Sequence, residues 1–519
     1  MQAVSDAPAI EVASVHWERV QLIVEARTAP GIAIDPAQLE LVPDTGGEPM
    51  APTRATVADD HLTARFNMLV GPGLKPLAPG RWRLRSPVTP GTSLIAAGPP
   101  GAGTFTLEHG SLRVTPAVDA AAHRLTVEVA FDENVRARRR REDLSVRLRR
   151  TAFRWLVSAS KVVVRPGRHR VLFASRLISE MSGNLKDVHA RMVERGLDRE
   201  HDLVIMLKPG LTDRWRFVDR LRLARSLATA DVIVLDDSFP PLNWVNLSSS
   251  VRIIQLWHAS GAFKTVGYSR VGLPDPNVRV HKSYTAAIVS SEFDVPFYAE
   301  AFGIPEERVV PTGIPRMDRF FDERAKAVGL GAARAAFPEI EGRMTILFAP
   351  TYRGDTIREA SYGFERLDYA ALHALCVERD AVVIIKMHPF VLEPVRIPEA
   401  FRDRLLDGSA KAVDVNDLLF AVDLLITDYS SIVFEYSTLR RPMLFFAYDL
   451  DDYVATRDFY VPFESFVPGR IVRTFEEMLD AIRRDDYQAY KVDDFAARHF
   501  AHRDAGSTDR VIDQLILAR

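Results

Sequence analysis

Two series of apolar segments, each alternating with helix-like segments, constrain the fold of this chain more than any other feature. Runs rich in β-branched residues predict buried parallel strands. The first series is Val171–Ala174, Leu203–Leu207, Val232–Leu235, Ile253–Leu256 and Ala286–Val289, and the second is Thr345–Ala349, Val382–Lys386, Leu424–Thr427 and Met443–Phe446. Helical segments such as Leu185–Arg195 and Arg216–Leu227 separate the runs. This alternation predicts an α/β protein with two doubly wound domains that face a cleft.

The N-terminal part of the chain has a different pattern. Short runs of alternating polar and apolar residues, separated by proline and glycine, are typical of antiparallel strands. A chain of 519 residues is also too long for one hydrophobic core. We therefore predict a small all-β sandwich domain over 1–130 and an arginine-rich linker over 131–169. Rossmann-like domains are predicted over 170–320 and 321–519, the second with C-terminal helices.

The composition excludes several classes of protein. A net charge of −2 excludes a strongly basic nucleic-acid binder. No run approaches the roughly 18 apolar residues of a membrane-spanning helix, and the first residues lack the basic and apolar segments of a secretory signal. The single cysteine, Cys376, fits a reducing compartment. These features predict a cytoplasmic protein.

The predicted linker carries many basic residues. Its arginines are Arg136, Arg138, Arg139, Arg140, Arg141, Arg147, Arg149, Arg150 and Arg154. Apolar residues, including Leu148, Phe153 and Trp155, are interleaved with them. Such a segment is typical of peripheral binding to an anionic membrane surface, with basic groups outward and apolar side chains inserted. A solvated linker helix is the alternative.

A histidine follows one strand of the first series. His258 comes after the run Val251–Leu256 and Trp257, and small residues and a glycine follow it. Ligands of open α/β sheets bind at the carboxyl ends of the strands, so an imidazole here is placed for proton transfer near neutral pH. A structural histidine in a turn is the alternative. The His-Ala-Ser-Gly context and a second strand-end histidine favour catalysis.

The second histidine follows a strand of the second series. That strand ends in Lys386, and Met387, His388 and Pro389 come next. A buried apolar strand that ends in a cation and an imidazole is difficult to explain by packing alone. The pair suits a phosphate group whose charge must be stabilised.

A helix start in the second series has the features of an anion site. The strand Leu424–Thr427 is followed by Ser430 and Ser431 at the beginning of a helix. Free backbone N–H groups and hydroxyls at a helix N-terminus bind anions; simple N-capping is the alternative. Glu435, one turn later, is placed to accept hydrogen bonds from a ribose or polyol.

Two further strand ends carry weaker signals. Gly183 and Asn184 open a helix where glycine permits close approach of a ligand, although Gly-Asn is also ordinary turn chemistry. Thr351 offers a hydroxyl, and Arg353 pairs either with a phosphate or with a neighbouring carboxylate. Together the strand ends describe a cleft suited to a nucleotide diphosphate. Without a Walker-type loop or an aspartate-rich cluster, we expect no cofactor and no obligatory metal.

Five motifs resemble those of CDP-glycerol glycerophosphotransferases, the teichoic-acid primases and polymerases with the GT-B fold. The motifs are His258–Lys264, Thr312–Asp318, Ala349–Arg353, Lys386–Pro389 and Thr427–Ser431. The resemblance covers roughly residues 170 to 500 in the family's order and does not include the N-terminal 130 residues. It implies a GT-B fold and transfer of glycerol phosphate from CDP-glycerol to a lipid-linked polyol-phosphate or glycan acceptor. A nucleic acid is not among the expected partners.

The resemblance also implies roles for individual residues. His258 is expected to deprotonate the acceptor hydroxyl, which attacks the β-phosphate and expels CMP, while His388 holds or protonates the diphosphate. Gly183 and Asn184 are expected to face the acceptor. The other expected substrate-binding residues are Ala259, Ser260, Gly261, Ala262, Arg316, Pro350, Thr351, Lys386, Met387, Ser430, Ser431 and Glu435. A lipid-linked acceptor would make membrane attachment of the arginine-rich segment useful.

Two positions depart from the family's pattern. Tyr352 stands where the family often has tryptophan, and Glu435 where it often has aspartate. Both changes keep the aromatic or acidic character, so they bear on the donor more than on the reaction class. Ribitol-phosphate transferases share these motifs, and the polyol stays open. A GT-B glycosyltransferase using a nucleotide sugar and a non-catalytic membrane scaffold are the remaining alternatives.

Overall fold

Most of the chain is described by a computed structural model. It describes residues 10–28, 39–58, 60–69, 71–72, 77–85, 100–107, 110–119, 124–132, 144–163, 167–208, 215–270, 278–354, 359–409, 413–456 and 459–518. Within these ranges the strands form two antiparallel and two parallel sheets.

The antiparallel sheets make up an N-terminal β unit. Its strands are β1 (Ile10–Glu18), β2 (Gln21–Thr28), β3 (Glu40–Pro43), β4 (Arg54–Ala58), β5 (His61–Asn67), β6 (Gly80–Arg85), β7 (Gly103–Leu107), β8 (Gly110–Asp119) and β9 (Arg124–Asp132). The sheet orders are β1-β2-β5-β4 and β3-β6-β9-β8-β7. Side chains from both sheets, including Leu22, Phe66, Trp82 and Val127, share one buried core. The antiparallel strands agree with the alternating pattern, whereas the domain boundary at residue 130 stays a prediction.

The arginine-rich segment contains helix α1 (Leu144–Val163). Phe153 and Val157 are buried, and α1 packs against the helix Phe217–Thr229 and the 3-10 turn Pro240–Trp244. Trp155 is 72% exposed on the other side. The five arginines Arg136, Arg138, Arg139, Arg140 and Arg141 lie outside the described residues. None of the described helices combines the length and apolar character needed to cross a bilayer.

The first parallel sheet has the order β11-β10-β12-β13-β14-β15. Its strands are β10 (Arg170–Ser175), β11 (Asp202–Leu207), β12 (Val232–Leu235), β13 (Arg252–Gln255), β14 (Ala286–Ile288) and β15 (Val309–Val310). The helices along it are α2 (Gly183–Glu194), α3 (Phe217–Thr229) and α4 (Val295–Phe302). Every residue of β12 is buried, because helices cover both faces of a parallel sheet.

The second parallel sheet has the order β18-β17-β16-β19-β20-β21. Its strands are β16 (Met344–Phe348), β17 (Ala381–Ile385), β18 (Leu405–Asp407), β19 (Leu424–Thr427), β20 (Met443–Phe446) and β21 (Arg470–Val472). The remaining helices are α5 (Glu323–Ala336), α6 (Tyr369–Glu378), α7 (Val415–Leu419), α8 (Ile432–Ser437), α9 (Leu450–Thr456), α10 (Phe463–Phe466), α11 (Phe475–Arg483), α12 (Lys491–His499) and α13 (Ser507–Val511), which continues into a π-helical turn, Ile512–Ile516. The two parallel sheets confirm the mixed α/β prediction.

The C-terminal helix returns to the first parallel sheet. Asp509 of α13 accepts hydrogen bonds from Arg191 of α2 at 2.9 and 2.8 Å, and the Ile516 carbonyl accepts one from Arg252 of β13 at 2.9 Å. Hydrophobic side chains of both parallel sheets also belong to one continuous core. The predicted division of the chain at residues 169 and 320 stays a prediction.

Candidate active site

Each parallel sheet has a topological switch point, where the strand order reverses direction. It lies between β10 and β12 in the first sheet and between β16 and β19 in the second. Ligands of doubly wound proteins bind outside the carboxyl ends of the strands at such points. The loops after these strands, and after the neighbouring β13 and β17, therefore form the candidate site.

His258 lies in the loop after β13 and contacts the loop after β12. Its Nδ1 is 3.3 Å from the Asp236 carbonyl oxygen, which follows β12. The imidazole packs on the Trp257 ring at a centroid distance of 4.4 Å. Since a carbonyl only accepts hydrogen bonds, Nδ1 carries the proton and Nε2 has a free lone pair.

The surroundings of His258 favour its neutral form. The side chain keeps an accessible edge but is recessed among protein atoms, and this desolvation lowers its pKa below the ordinary value. The Asp236 carbonyl opposes that change, whereas the positive charge of Arg316 adds to it. An unprotonated Nε2 at neutral pH is what a general base needs.

Asn184 supports the loop that carries His258. Its buried Nδ2 donates to the carbonyls of Trp257 at 2.7 Å and Leu256 at 3.3 Å. Its Oδ1 accepts from the Arg316 backbone N–H at 3.0 Å. Gly183 before it has a φ of +53°, which a glycine adopts readily. The Asn184 amide is thus engaged with the protein's own backbone, and acceptor contact by this pair stays a prediction.

A buried polar cluster joins the two halves of the site. Glu435 of α8 accepts a hydrogen bond from the Ser260 hydroxyl at 2.7 Å and forms an ion pair with Arg316. The Arg316 guanidinium also donates to the Ser260 hydroxyl at 3.0 Å. The Glu435 carboxylate already has protein partners, which gives it a structural role that the sequence did not indicate, and contact of Glu435 or Arg316 with substrate stays a prediction.

The small residues after His258 allow a close approach between the two halves. A Cβ atom on Gly261 would lie 2.3 Å from the Phe434 ring of α8. The Ala262 N–H donates to the buried Asp294 at 3.0 Å. Ala259 is half-buried. Ser260, Gly261 and Ala262 thus pack within the protein, and their predicted contact with substrate stays a prediction.

His388 has the opposite tautomer to His258. Its Nδ1 accepts a hydrogen bond from the Phe390 N–H at 3.2 Å, so in the neutral ring Nε2 carries the proton. The ring packs against Tyr352, which follows β16, at 4.8 Å. Burial lowers the His388 pKa first, and the nearby Lys264 lowers it further. Lys264 belongs to the His258 loop, so that loop reaches the surroundings of His388.

The two residues before His388 contact the segment after β18. The Lys386 ammonium donates to the Gly408 carbonyl at 2.9 Å, and the Met387 N–H donates to the Ser409 hydroxyl at 2.8 Å. Burial lowers the Lys386 pKa. Their predicted contact with the donor stays a prediction.

The switch point of the second sheet joins the Thr351 and Ser430 loops. The Thr351 N–H donates to Asp428 at 2.7 Å, while its hydroxyl is buried without a partner. Pro350 before it is buried. Ser430 Oγ accepts the Ile432 N–H at 3.3 Å, and Ser431 is the exposed N-cap of α8. The predicted helix start is present here, and anion binding stays a prediction.

Arg353 pairs with carboxylates. Its guanidinium donates to Asp449 at 2.6 and 2.9 Å and lies 3.0 Å from Asp428. Of the two partners that the sequence left open, a phosphate or a carboxylate, the structure shows the carboxylate.

Sequence reasoning missed an acidic pair at the first switch point. Asp236 and Asp237 follow β12, and one carboxylate oxygen of each is buried without a hydrogen-bond partner. Burial raises the pKa of Asp236 to about 7 and that of Asp237 to about 6. A doubled aspartate directly after the apolar run Val232–Leu235 was the available signal. No cluster of three metal-ligating side chains occurs among the described residues.

Parallel sheets with titratable side chains at their switch points define an α/β enzyme of the doubly wound class. A family model described as CDP-glycerol:poly(glycerophosphate) glycerophosphotransferase matches residues 157–517. The chain therefore belongs to this family. The matched region contains every candidate site residue and leaves out the N-terminal β unit.

Several curated proteins are similar to the chain. It is 45% identical over 348 residues to the teichoic acid ribitol-phosphate polymerase TarK of Staphylococcus aureus (strain NCTC 8325 / PS 47), covering 66% of this chain and 68% of TarK. It is 42% identical to TarL of the same strain, covering 72% and 66%. It is 36% identical to the teichoic acid ribitol-phosphate primase of Bacillus spizizenii (strain ATCC 23059 / NRRL B-14472 / W23), covering 67% and 91%. The chain thus spans about two thirds of the two polymerases and is an enzyme of the teichoic acid polymerase and primase family.

A solved structure supports the fold. The wall teichoic acid polymerase TagF matches with a TM-score of 0.57 and 21% identity, covering 74% of this chain and 97% of that one. At this level of identity the likeness concerns the fold alone.

Proposed function

We propose that this enzyme transfers a polyol phosphate from a CDP-activated donor to a hydroxyl of a lipid-linked, teichoic-acid-type acceptor and releases CMP. The family description and the relatives support the reaction class. The observation that carries the proposal is the pair of strand-end histidines with opposite tautomers, His258 with an unprotonated Nε2 and His388 with a protonated one. A base and an acid are what the transfer requires.

In the proposed reaction, His258 Nε2 accepts the proton of the acceptor hydroxyl while the oxygen attacks the β-phosphorus. A new P–O bond forms, and the bond between the β-phosphorus and the bridging oxygen breaks. The electron pair leaves with CMP. His388 Nε2–H donates a hydrogen bond to the diphosphate as negative charge develops on the leaving phosphate. The proton on His258 then passes to solvent.

The relatives favour ribitol phosphate as the transferred group. Those at 36% to 45% identity are named as ribitol-phosphate enzymes, whereas the teichoic acid glycerol-phosphate primase of Bacillus subtilis (strain 168) is 29% identical. We therefore propose CDP-ribitol as the preferred donor. CDP-glycerol, predicted from the motifs, is the second candidate, and the family description supports it.

We infer a GT-B arrangement in which 170–320 binds the acceptor and 321–519 binds the donor. Pro350, Thr351, Met387, Ser430 and Ser431 belong to the proposed donor side. On the acceptor side the Asn184 amide is already engaged. We propose that the loop after β12, which carries Asp236 and Asp237 at the first switch point, lies beside the acceptor.

Helix α1 is the proposed site of attachment to an anionic membrane surface at its cytoplasmic face. Leu148 and Trp155 are exposed on it, and the basic Arg147 and Arg149 lie nearby in sequence. Basic groups beside exposed apolar side chains are typical of interfacial helices. Attachment would bring the site close to a lipid-linked acceptor.

Nucleotide release tests the function. The purified chain is incubated with a lipid-linked polyol-phosphate acceptor and, separately, with CDP-ribitol, CDP-glycerol or a UDP-sugar. We expect acceptor-dependent CMP, more from CDP-ribitol than from CDP-glycerol. UDP formation from the sugar donor, without CMP from either polyol donor, would instead support a glycosyltransferase.

A further inference from the structure

The turn between β1 and β2 contains an arginine in an unusual backbone conformation. Glu18 pairs with Gln21, so Arg19 and Val20 form a two-residue hairpin turn. Arg19 has a φ of +56°. Glycine, asparagine and aspartate are preferred at such positions, because a longer side chain strains the backbone there. An arginine that keeps this conformation suggests that its side chain has a specific use.

The Arg19 side chain leaves the N-terminal β unit and enters the neighbouring part of the protein. Its guanidinium donates to both carboxylate oxygens of Glu300 in α4, at 3.0 and 3.4 Å. It also donates to the Tyr460 carbonyl at 3.3 Å. The rings of Phe297 and Tyr460 lie 5.7 and 5.3 Å from the guanidinium carbon. The Arg19 and Glu300 side chains are only 9% and 2% exposed, so this ion pair is enclosed.

Tyr460 in turn contacts the loop that begins at His258. Its N–H donates to the Phe263 carbonyl at 3.0 Å, and the adjacent Phe459 forms a β-bridge with Lys264. The Tyr460 hydroxyl accepts from the Val266 N–H at 3.4 Å. Both ends of Tyr460 are therefore fixed to the segment between residues 263 and 266.

A groove open to solvent borders the interface around Arg19. It has a volume of about 670 Å³ and lies between strands β1, β2, β4 and β5 and the region of α4. Arg19 and Glu300 are both on its wall. Beside this groove, the enclosed ion pair of Arg19 and Glu300 is a directional contact that joins the β unit to α4.

We propose that Arg19 is a positioning residue through which the N-terminal β unit holds the loop His258–Lys264 in its active arrangement. The route runs from Arg19 through Tyr460 to Phe263 and Lys264. One end of this loop carries His258, and the other, at Phe263 and Lys264, contacts Tyr460 and Phe459. The expected effect of Arg19 on turnover rests on the proposed function. The contact between Arg19 and the segment that holds the loop does not.

Two substitutions remove the Arg19 side chain while keeping the backbone conformation of the turn. Arg19→Gly and Arg19→Asn both suit the positive φ, so the turn is kept while the contacts with Glu300 and Tyr460 are lost. Arg19→Lys keeps the charge without the forked guanidinium. Arg83→Ala is the matched control, because Arg83 is an exposed arginine of the same β unit that pairs with Asp44, also in that unit, at 3.1 Å.

Amide hydrogen exchange at Tyr460 and Val266 is the direct measurement, since both N–H groups bond within the contacted segment. We expect exchange to rise about tenfold in Arg19→Gly and Arg19→Asn, less in Arg19→Lys, and not in Arg83→Ala. CMP release by the same variants should fall by roughly 10- to 100-fold in kcat, with the donor KM nearly unchanged, as expected when a catalytic group is misplaced. Arg19→Lys should recover part of this loss.

Two results would overturn the proposal. One is an amide exchange rate at Tyr460 and Val266 equal to that of the parent chain, measured in a folded Arg19→Gly or Arg19→Asn chain. The other is faster exchange that leaves kcat at the parental value. If neither of these variants folded, Arg19→Lys alone would decide, by its amide exchange at Tyr460 and Val266 and its kcat for CMP release. A parent chain that releases no CMP would contradict the proposed function instead, while the exchange comparison would still test the contact.

Discussion

Backbone groups give the two histidines opposite tautomers, which suit His258 to accept a proton and His388 to donate a hydrogen bond. The Asp236 carbonyl fixes the proton of His258 on Nδ1, whereas the Phe390 N–H requires an unprotonated Nδ1 in His388. Desolvation lowers the pKa of both rings. The tautomer therefore follows from the direction of one backbone hydrogen bond in each loop.

The pH dependence of kcat/KM should report the lowered pKa of His258. The proposed base acts in its neutral form, so activity should persist as the pH falls through 6.5, the ordinary value, and decline below it. Asp236→Asn separates the two possible titrations, because the Asp236 carboxyl of the candidate site has a pKa of about 7. If kcat/KM instead declined near pH 7 and Asp236→Asn removed that decline, the titrating group would be Asp236.

At the scale of elements, the loop after β13 and helix α8 fit together only because the loop is small at its centre. Gly261 lies against Phe434, and Ser260 and Arg316 surround Glu435. The elements thus meet through one close apolar contact and one buried polar cluster. Each can be tested by a single substitution.

Gly261→Ala should destabilise the protein. The added methyl group would lie 2.3 Å from the Phe434 ring, and overpacking of this kind costs about 1–3 kcal/mol. Gly331→Ala in α5 is the matched control, since a methyl group there meets nothing within 4 Å and alanine favours a helix. Urea unfolding of both variants checks this. Equal stability of the two variants would show that the loop and α8 are not in close contact.

Glu435→Gln should also destabilise the protein, because it leaves the Arg316 guanidinium without its buried carboxylate. Loss of a hydrogen bond to a charged group costs about 2 kcal/mol. Glu323→Gln, at an exposed ion pair with Lys326, is the control and should have no measurable effect. Thermal unfolding distinguishes the two. An unaffected Glu435→Gln chain, with normal activity, would refute the structural role.

The long buried strands could be predicted because a continuous apolar run between helical segments is typical of a strand that is covered on both faces. The edge strands Val309–Val310, Leu405–Asp407 and Arg470–Val472 are two or three residues long, which is too short for a periodic signal. The strand-end histidines were found from their position and from the residues beside them. The partners of Glu435 were not, because Ser260 and Arg316 are 175 and 119 residues away and no local pattern reports such pairs.

At the scale of the whole molecule, the chain combines an N-terminal β unit, the amphipathic helix α1 and two parallel sheets. The candidate site lies at the switch points of the two parallel sheets. Helix α1 packs one face on α3 and leaves Leu148 and Trp155 exposed. We expect Trp155→Ser to reduce co-sedimentation with anionic liposomes several-fold. Leu392→Ser, at an 84% exposed position in the second half, should not. Equal binding of the parent chain to neutral and anionic liposomes would contradict membrane attachment through this helix.

The most direct test of the proposed mechanism measures CMP release from CDP-ribitol and CDP-glycerol, with a lipid-linked acceptor, by the parent chain and by His258→Ala. His61→Ala, at an exposed histidine of the N-terminal β unit, is the control. We predict acceptor-dependent CMP from the parent and from His61→Ala, and a loss of at least ~10²-fold in kcat for His258→Ala. Full turnover by His258→Ala would contradict the assignment of His258 as the base.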